Sequence, residues 1–206
     1  KPRVAETARA LWMVYVGLTV VEIAALKAAG MSYFEAACHT FGTLGTGGFS
    51  TNTASIGGFH NPTIEWIIVV FMLFGGISFI QHFRLWIGRD PWPVFRDLEL
   101  RGYLAIILAV SAVISVDLIW RSGYEFERAI RGATFQVVSI ITTTGFVTED
   151  FELWSPLCHV LLLALMFVGG CTGSTSGGLK VARVMLLGRL VDREFKRMVE
   201  PRGVFA

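Results

Sequence analysis

The feature that most constrains this chain is a pattern that occurs twice. The first copy runs from Phe34 to Gly76: Phe34-Glu35-Ala36-Ala37, then Thr46-Gly47-Gly48-Phe49, then Asn61-Pro62 and an apolar run closing on Gly75-Gly76. The second runs from Phe126 to Gly170: Phe126-Glu127-Arg128-Ala129, then Thr143-Thr144-Gly145-Phe146, then Ser155-Pro156 and an apolar run closing on Gly169-Gly170. Each copy holds a short helix-like run, a Thr/Gly turn, a polar loop, a proline and a long apolar helix. The spacings differ by a few residues, so the duplication is old. A repeat dictates architecture, because one unit cannot bury its apolar face alone.

Composition says what solvent the repeat faces. The chain is 53% hydrophobic and 17% charged, whereas soluble domains carry about 25% charged residues. That points to a membrane. Cys38, Cys158 and Cys171 are the three cysteines and form no CxxC pair, so neither a disulfide framework nor a zinc site is expected. No cleavable signal peptide is expected: the apolar run after Arg9 is too long and no small-residue cleavage pattern follows it. Both ends read as cut from something longer.

A spanning helix needs about 20 apolar residues. Leu11 to Ala29 is the first candidate, Ile64 to Trp86 the second and Tyr103 to Trp120 the third. The fourth starts at Pro156, runs as Leu157 to Val168, breaks at 169–178 and resumes at Leu179 as a basic amphipathic helix to about Met198. Trp66 and Trp86 fit interfacial anchors, and Gly75-Gly76 allows a kink or a close helix contact. Glu22 lies deep in the first spanner and must face protein or water rather than lipid; an interhelix polar contact and a cation site are its two readings. The runs at Phe34–Phe41 and Glu125–Val138 are too short to cross and read as re-entrant. The stretch from Arg84 to Arg101 reads as a wet, ordered surface loop.

Charge placement fits that topology. With the short helices dipping in and returning, Lys1, Arg3, Arg9, Arg84, Arg89, Arg96, Arg101, Lys180, Arg183, Arg189, Arg193, Lys196, Arg197 and Arg202 fall on one side. Only Lys27, Arg121, Arg128 and Arg131 fall on the other. The basic side is then cytoplasmic, with both ends of the chain. Full crossings by the short helices would destroy the separation.

Non-helical backbone at membrane depth survives only where it is buried in protein or lines water. Carbonyls turned toward a narrow path replace the hydration shell of a cation. The candidate oxygens are those of Gly45, Thr46, Gly47 and Gly48 in the first turn, and of Thr142, Thr143, Thr144 and Gly145 in the second. A threonine hydroxyl is a further possible ligand, and Phe49 and Phe146 are expected to wedge behind the turns. The bland alternative is a tight turn between membrane helices, which the twofold occurrence disfavours.

The break Gly169-Gly170-Cys171-Thr172-Gly173-Ser174-Thr175-Ser176-Gly177-Gly178, followed by Lys180, misses the spacing of a phosphate loop and of an esterase elbow. It reads as a polar interruption that projects into the ion path as a gate, against a plain hinge. Cys38-His39 and Cys158-His159 complete no metal shell. His60 and His82 read as interfacial. The basic helix around Arg183, Arg189, Arg193 and Arg197 suits anionic lipid or a cytoplasmic subunit. No catalytic constellation is present, so a membrane enzyme or a scaffold is disfavoured.

These motifs resemble the potassium transporter superfamily of bacterial Trk and Ktr membrane subunits and their plant and fungal relatives, including the HKT proteins, and are nearest the bacterial Trk type. The likeness rests on Ala37-Cys38-His39-Thr40-Phe41, Thr46-Gly47-Gly48-Phe49-Ser50-Thr51, Thr142-Thr143-Thr144-Gly145-Phe146 and the run from Gly169 to Lys180. It covers essentially the whole chain. It implies an all-α polytopic fold of membrane helix–pore loop–membrane helix repeats, pseudo-fourfold in a full chain, of which the second and third repeats are here. One repeat is then 1–90, with outer helix 8–30, pore helix 33–43, filter 43–49 and inner helix 63–87. A cytoplasmic link follows at 91–101. The other repeat is 102–200, with outer helix 102–120, pore helix 125–140, filter 142–146 and a broken inner helix 157–198 whose intramembrane loop is 169–178.

The resemblance further implies potassium uptake, through a channel-like pore gated by that loop, across the bacterial inner membrane. The alternative is a less selective potassium/sodium transporter of the same build, possibly an ion-coupled symporter. Potassium is the transported ion, held by backbone carbonyls only, with no organic cofactor. Implied partners are membrane lipid, a second copy in a homodimer and a cytoplasmic nucleotide-binding regulatory subunit, with no nucleic acid.

Overall fold

The computed structural model describes residues 4–86 and 92–199. Lys1, Arg3, Arg89 and Arg202 of the basic set therefore lie outside the described residues, as do Ile87 and the start of the expected link. Among the described residues the chain is helical, with no β-strand beyond one isolated bridge between Val168 and Leu179. The first repeat holds α1 (Val4–Ala28), α2 (Tyr33–Leu44), α3 (Pro62–Gly76) and α4 (Phe79–Trp86). After α5 (Trp92–Arg96), the second holds α6 (Leu98–Ser122), α7 (Phe126–Ile141), α8 (Pro156–Met166) and α9 (Val181–Val199).

Local chemistry sets the boundaries. Ser32 and Glu35 form a reciprocal capping box at the start of α2, with Glu35 N to Ser32 Oγ at 3.2 Å and Ser32 N to Glu35 Oε2 at 2.9 Å. The Ser32 hydroxyl and the Ser32 amide, both turned to the carboxylate, favour its ionised form and hold Glu35 below the usual carboxylate range. Asn61 caps α3 through Thr63 N, Asp97 caps α6 through Leu100 N and Ser155 caps α8 through Cys158 N. Pro62 and Pro156 each open a helix where a missing N–H is harmless. Gly123, at φ 67°, closes α6 in the left-handed conformation.

Among the described residues two helices are long and apolar enough to span a membrane, through Leu11–Ala28 and Leu98–Ser122. The second expected spanner, Ile64 to Trp86, is not straight. Helix α3 ends at Gly76, Ile77 is extended, and the next helix leaves at 102°. Gly75-Gly76 allows a kink or a close helix contact; the structure has a right-angled elbow just beyond it. The arm holds because its amide finds a partner elsewhere, Phe79 N to Gly173 O at 3.1 Å. His82, expected at an interface, is buried in this elbow with Nε2 2.9 Å from Phe74 O. The link is not one loop either: α5 occupies Trp92–Arg96 and α6 starts at Leu98.

Helix α7 is the hub. It packs on α6, α3 and α8 and buries Ala129, Ala133, Phe135, Val137, Val138 and Ile141 completely. Trp12, Met13, Val16, Val20 and Val21 leave an exposed apolar face on α1, as a lipid-facing helix does. Glu22, on its opposite side, is fully buried, and among the described residues neither carboxylate oxygen has a hydrogen-bond partner.

Candidate functional site

Each short helix ends in a turn, and the two turns have the same backbone. Helix α2 closes on Gly45 and α7 on Thr142, both at φ −80°, ψ −3°. Left-handed residues follow at Thr46 (φ 50°) and Gly48 (φ 67°), matched by Thr143 (φ 57°) and Gly145 (φ 86°). A threonine at positive φ is uncommon, so its recurrence at equivalent places marks a built conformation.

The hydrogen bonds repeat as well. Gly45 N, Thr46 N and Gly47 N donate to Phe41 O (3.0 Å), Thr43 O (3.1 Å) and Gly42 O (2.8 Å), and Gly48 N also reaches Gly42 O (3.3 Å). Thr142 N, Thr143 N and Thr144 N donate to Val138 O (3.0 Å), Ile140 O (2.9 Å) and Ser139 O (2.9 Å), and Gly145 N also reaches Ser139 O (3.2 Å). Every turn amide therefore points back into its helix. Among the described residues no hydrogen bond ends on the carbonyl oxygens of 45–48 or 142–145. Amides satisfied and carbonyls unclaimed is the arrangement that a cation, not an anion, requires.

The two turns touch. At Gly48 a Cβ would overlap the Thr144 carbonyl oxygen, and at Gly42 one would lie 2.9 Å from the ring of Phe146. Phe146 is the expected wedge: fully buried, 5.9 Å from the His39 ring, with its carbonyl held by Ser139 Oγ at 2.7 Å. Phe49 differs: it is 83% exposed.

The threonine hydroxyls have other duties than ion ligation. Thr142 Oγ1 and Thr144 Oγ1 pair at 2.8 Å, and Thr142 Oγ1 also donates to Val138 O at 2.7 Å. Thr46 Oγ1 donates to Thr175 O (3.1 Å), and Thr143 Oγ1 accepts from Gly177 N (2.7 Å). These last two bonds tie both turns to the Gly-rich loop.

That loop is non-helical between α8 and α9 and well anchored. Cys171 N and Thr175 N donate to Gly76 O (2.8 Å) and Gly75 O (3.3 Å) at the elbow, and Thr175 Oγ1 reaches Gly75 O at 3.1 Å. Within the loop, Gly170 N meets Ser176 Oγ (3.0 Å) and Ser174 Oγ meets Cys171 O (2.6 Å). Lys180 Nζ donates to Ser176 O and lies 3.4 Å from Ser174 Oγ. Gly169 N bonds Leu179 O (2.8 Å) and Leu179 N bonds Phe167 O (3.1 Å), which closes the loop at its neck. Thr172, Gly173 and Gly178 complete it, with Gly173 facing Ser78.

The remaining candidates are structural. His39 is buried, with Nδ1 2.7 Å from Glu35 O and Nε2 2.9 Å from Ser50 Oγ. His159 Nε2 lies 2.8 Å from Phe151 O. Among the described residues no group of His, Cys, Asp or Glu side chains is placed to hold a metal. Sequence reasoning missed Glu99, whose carboxylate binds the loop, and Tyr103, whose hydroxyl sits against Gly76. Both contacts join distant parts of the chain, and no local pattern marks them.

The chain matches the family described as "TrkH: Cation transport protein" over residues 1–206. It is 44% identical over 207 residues to the Trk system potassium uptake protein TrkH of Salmonella typhimurium, covering 100% of this chain and 43% of that protein. To the Trk system potassium uptake protein TrkG of Escherichia coli it is 35% identical, covering 100% of this chain and 42% of that one. The crystal structure of the potassium transporter TrkH from Vibrio parahaemolyticus superimposes with a TM-score of 0.94 at 42% identity, covering 100% of this chain and 44% of its own. The chain thus spans less than half the length of the curated relatives it matches.

Proposed function

The chain belongs to the TrkH cation transport family, and from that premise we propose that it forms part of a potassium uptake path. In this reading the carbonyls of Gly45, Thr46, Gly47 and Gly48, and of Thr142, Thr143, Thr144 and Gly145, bind dehydrated potassium. The observation that carries it is the pair of turns with one shared backbone geometry, every amide turned inward and the carbonyls unclaimed. Potassium enters near Phe49 and Phe146, exchanges water for carbonyl oxygen, passes the loop at 169–178 and leaves on the basic side. The membrane potential supplies about 2.3 kcal/mol per charge per 100 mV, so accumulation needs no chemistry from the protein.

The loop with Lys180 is the gate of this path. Its bonds to Thr46 and Thr143 put it directly against both turns, where it obstructs an ion leaving them. This reading places the chain in a bacterial inner membrane with its basic side inward, which the charge separation supports. It also includes a second copy and a cytoplasmic nucleotide-binding subunit, as the family resemblance implies for a multi-component uptake system.

The test is rubidium uptake into liposomes holding the full-length protein, for wild type and Gly145→Ser, with potassium or sodium as competitor. Competition by potassium alone, weakened by the substitution, is expected. Equal competition by sodium, unchanged in the variant, means that the turns are scaffold and favours a poorly selective transporter. Deleting 172–177 is expected to raise conductance; unchanged flux would overturn the gate.

A further inference from the structure

Glu99 sits in the first turn of α6, where an acid favourably meets the positive end of its own helix. The carboxylate does more than that. Its Oε1 accepts three hydrogen bonds from the far repeat end: Thr172 N at 2.6 Å, Thr172 Oγ1 at 2.9 Å and Ala182 N at 3.2 Å. The first two belong to the loop. The third comes from the first turn of α9, where helix amides have no partner within their own helix.

The other amides there are spoken for. Val181 N bonds Gly170 O at 3.2 Å, while Arg183 N and Val184 N share Lys180 O at 2.8 and 3.2 Å. Glu99 therefore completes the cap of α9 and seizes the loop with one oxygen. A pull on α9, the exposed basic helix, reaches Thr172 through that oxygen as well as along the chain. Bonds to a charged acceptor are stronger than neutral ones, and here one carboxylate oxygen takes two of them from the loop.

We propose that Glu99 is the positioning residue that latches the loop shut and transmits movement of α9 to it. This rests on reading the loop as a gate. Opening breaks the bonds to Thr172 and Ala182 together, and the elbow contacts at Gly75 and Gly76 then yield one by one.

The experiment is rubidium uptake by the full-length protein in liposomes, as maximal rate, half-saturating concentration and potassium-over-sodium preference. Glu99→Ala removes all three bonds and is expected to raise the maximal rate at least about tenfold, the value of one charged hydrogen bond, with saturation and preference unchanged. Glu99→Gln keeps an acceptor oxygen without the charge and is expected to fall between. Thr172→Val removes one donor and is expected to give a smaller rise. A merely structural Glu99 predicts instead a lower rate together with altered saturation. If Glu99→Ala does not fold, Glu99→Gln and Thr172→Val decide by the same criterion. Deleting 172–177 separates the two ideas. A rise on deletion with no rise in the Glu99 and Thr172 variants overturns the latch alone; no rise on deletion overturns the gate and the latch with it.

Discussion

Gly48 and Gly145 hold equivalent places in their turns but have different surroundings. At Gly48 a side chain meets both a left-handed backbone and the Thr144 carbonyl; at Gly145 only the backbone objects, because an added Cβ meets no described residue within 4 Å. Gly48→Ala is therefore expected to displace a candidate ligand of the second turn as well as strain the first. Its potassium-over-sodium preference in the uptake assay should fall further than that of Gly145→Ala measured in parallel. Equal effects would mean that the turns act separately. A second residue-scale expectation concerns Tyr103, whose buried hydroxyl has no hydrogen-bond partner. Gly76→Ala crowds that hydroxyl and should destabilise by about 1–3 kcal/mol, as over-packing does. Tyr103→Phe should be neutral or mildly stabilising and should recover part of that loss in the double variant, read by thermal unfolding in detergent. The turns were legible in the sequence, because Thr-Gly before Phe is a local demand for unusual backbone. Tyr103 and Glu99 were not: their partners lie far along the chain, at Gly76 and Thr172, and an aromatic or an acid on a helix carries no mark of its neighbour.

Helix starts were legible for the same local reason. Ser32, Asn61 and Ser155, with Pro62 and Pro156 behind two of them, announce where α2, α3 and α8 begin. Asn61 has a second function that no cap pattern reveals. Its Oδ1 accepts from Thr63 N at 2.9 Å while its Nδ2 donates to Ala29 O at 3.1 Å, pinning the end of α1 to the start of α3. Asn61→Asp keeps the cap and loses the pin; Asn61→Ala loses both. The expected losses are about 1 kcal/mol for the cap and about 1 kcal/mol for the pin, so the alanine variant should unfold at the lower temperature. The elbow after Gly76 was only partly legible: Gly75-Gly76 allows a kink, but mostly apolar character resumes at Ile77, Phe79 and Ile80, so a hydropathy pattern does not show a right angle. What bends the chain is the loop from the other repeat, which takes the amide of Phe79 and gives its own amides to Gly75 and Gly76. The glycines permit a bend, but the angle that a distant segment enforces is not written in the segment that bends.

At the scale of the molecule the deciding question is whether α2 and α7 cross the membrane or return. Their lengths argue for return. At about 1.5 Å per residue, the 12 residues of α2 and the 16 of α7 reach about 18 and 24 Å, short of the about 30 Å of hydrocarbon. The burial of α7 argues the same way, since a helix surrounded on several sides by α3, α6 and α8 has little face left for lipid. Return places Thr53, in the exposed loop after the first turn, on the same side as Ser122 and opposite Arg193. Crossing places Thr53 and Ser122 with Arg193. Single cysteines settle the matter: Thr53→Cys, Ser122→Cys and Arg193→Cys, each in the full-length protein with Cys38, Cys158 and Cys171 replaced by alanine. With an impermeant maleimide on intact spheroplasts, Thr53→Cys and Ser122→Cys should label and Arg193→Cys should label only after permeabilisation. Protection of Thr53→Cys until permeabilisation would make α2 a crossing helix. The basic residues would then no longer segregate, and the turn at 45–48 would lose its place at the outer mouth of the path.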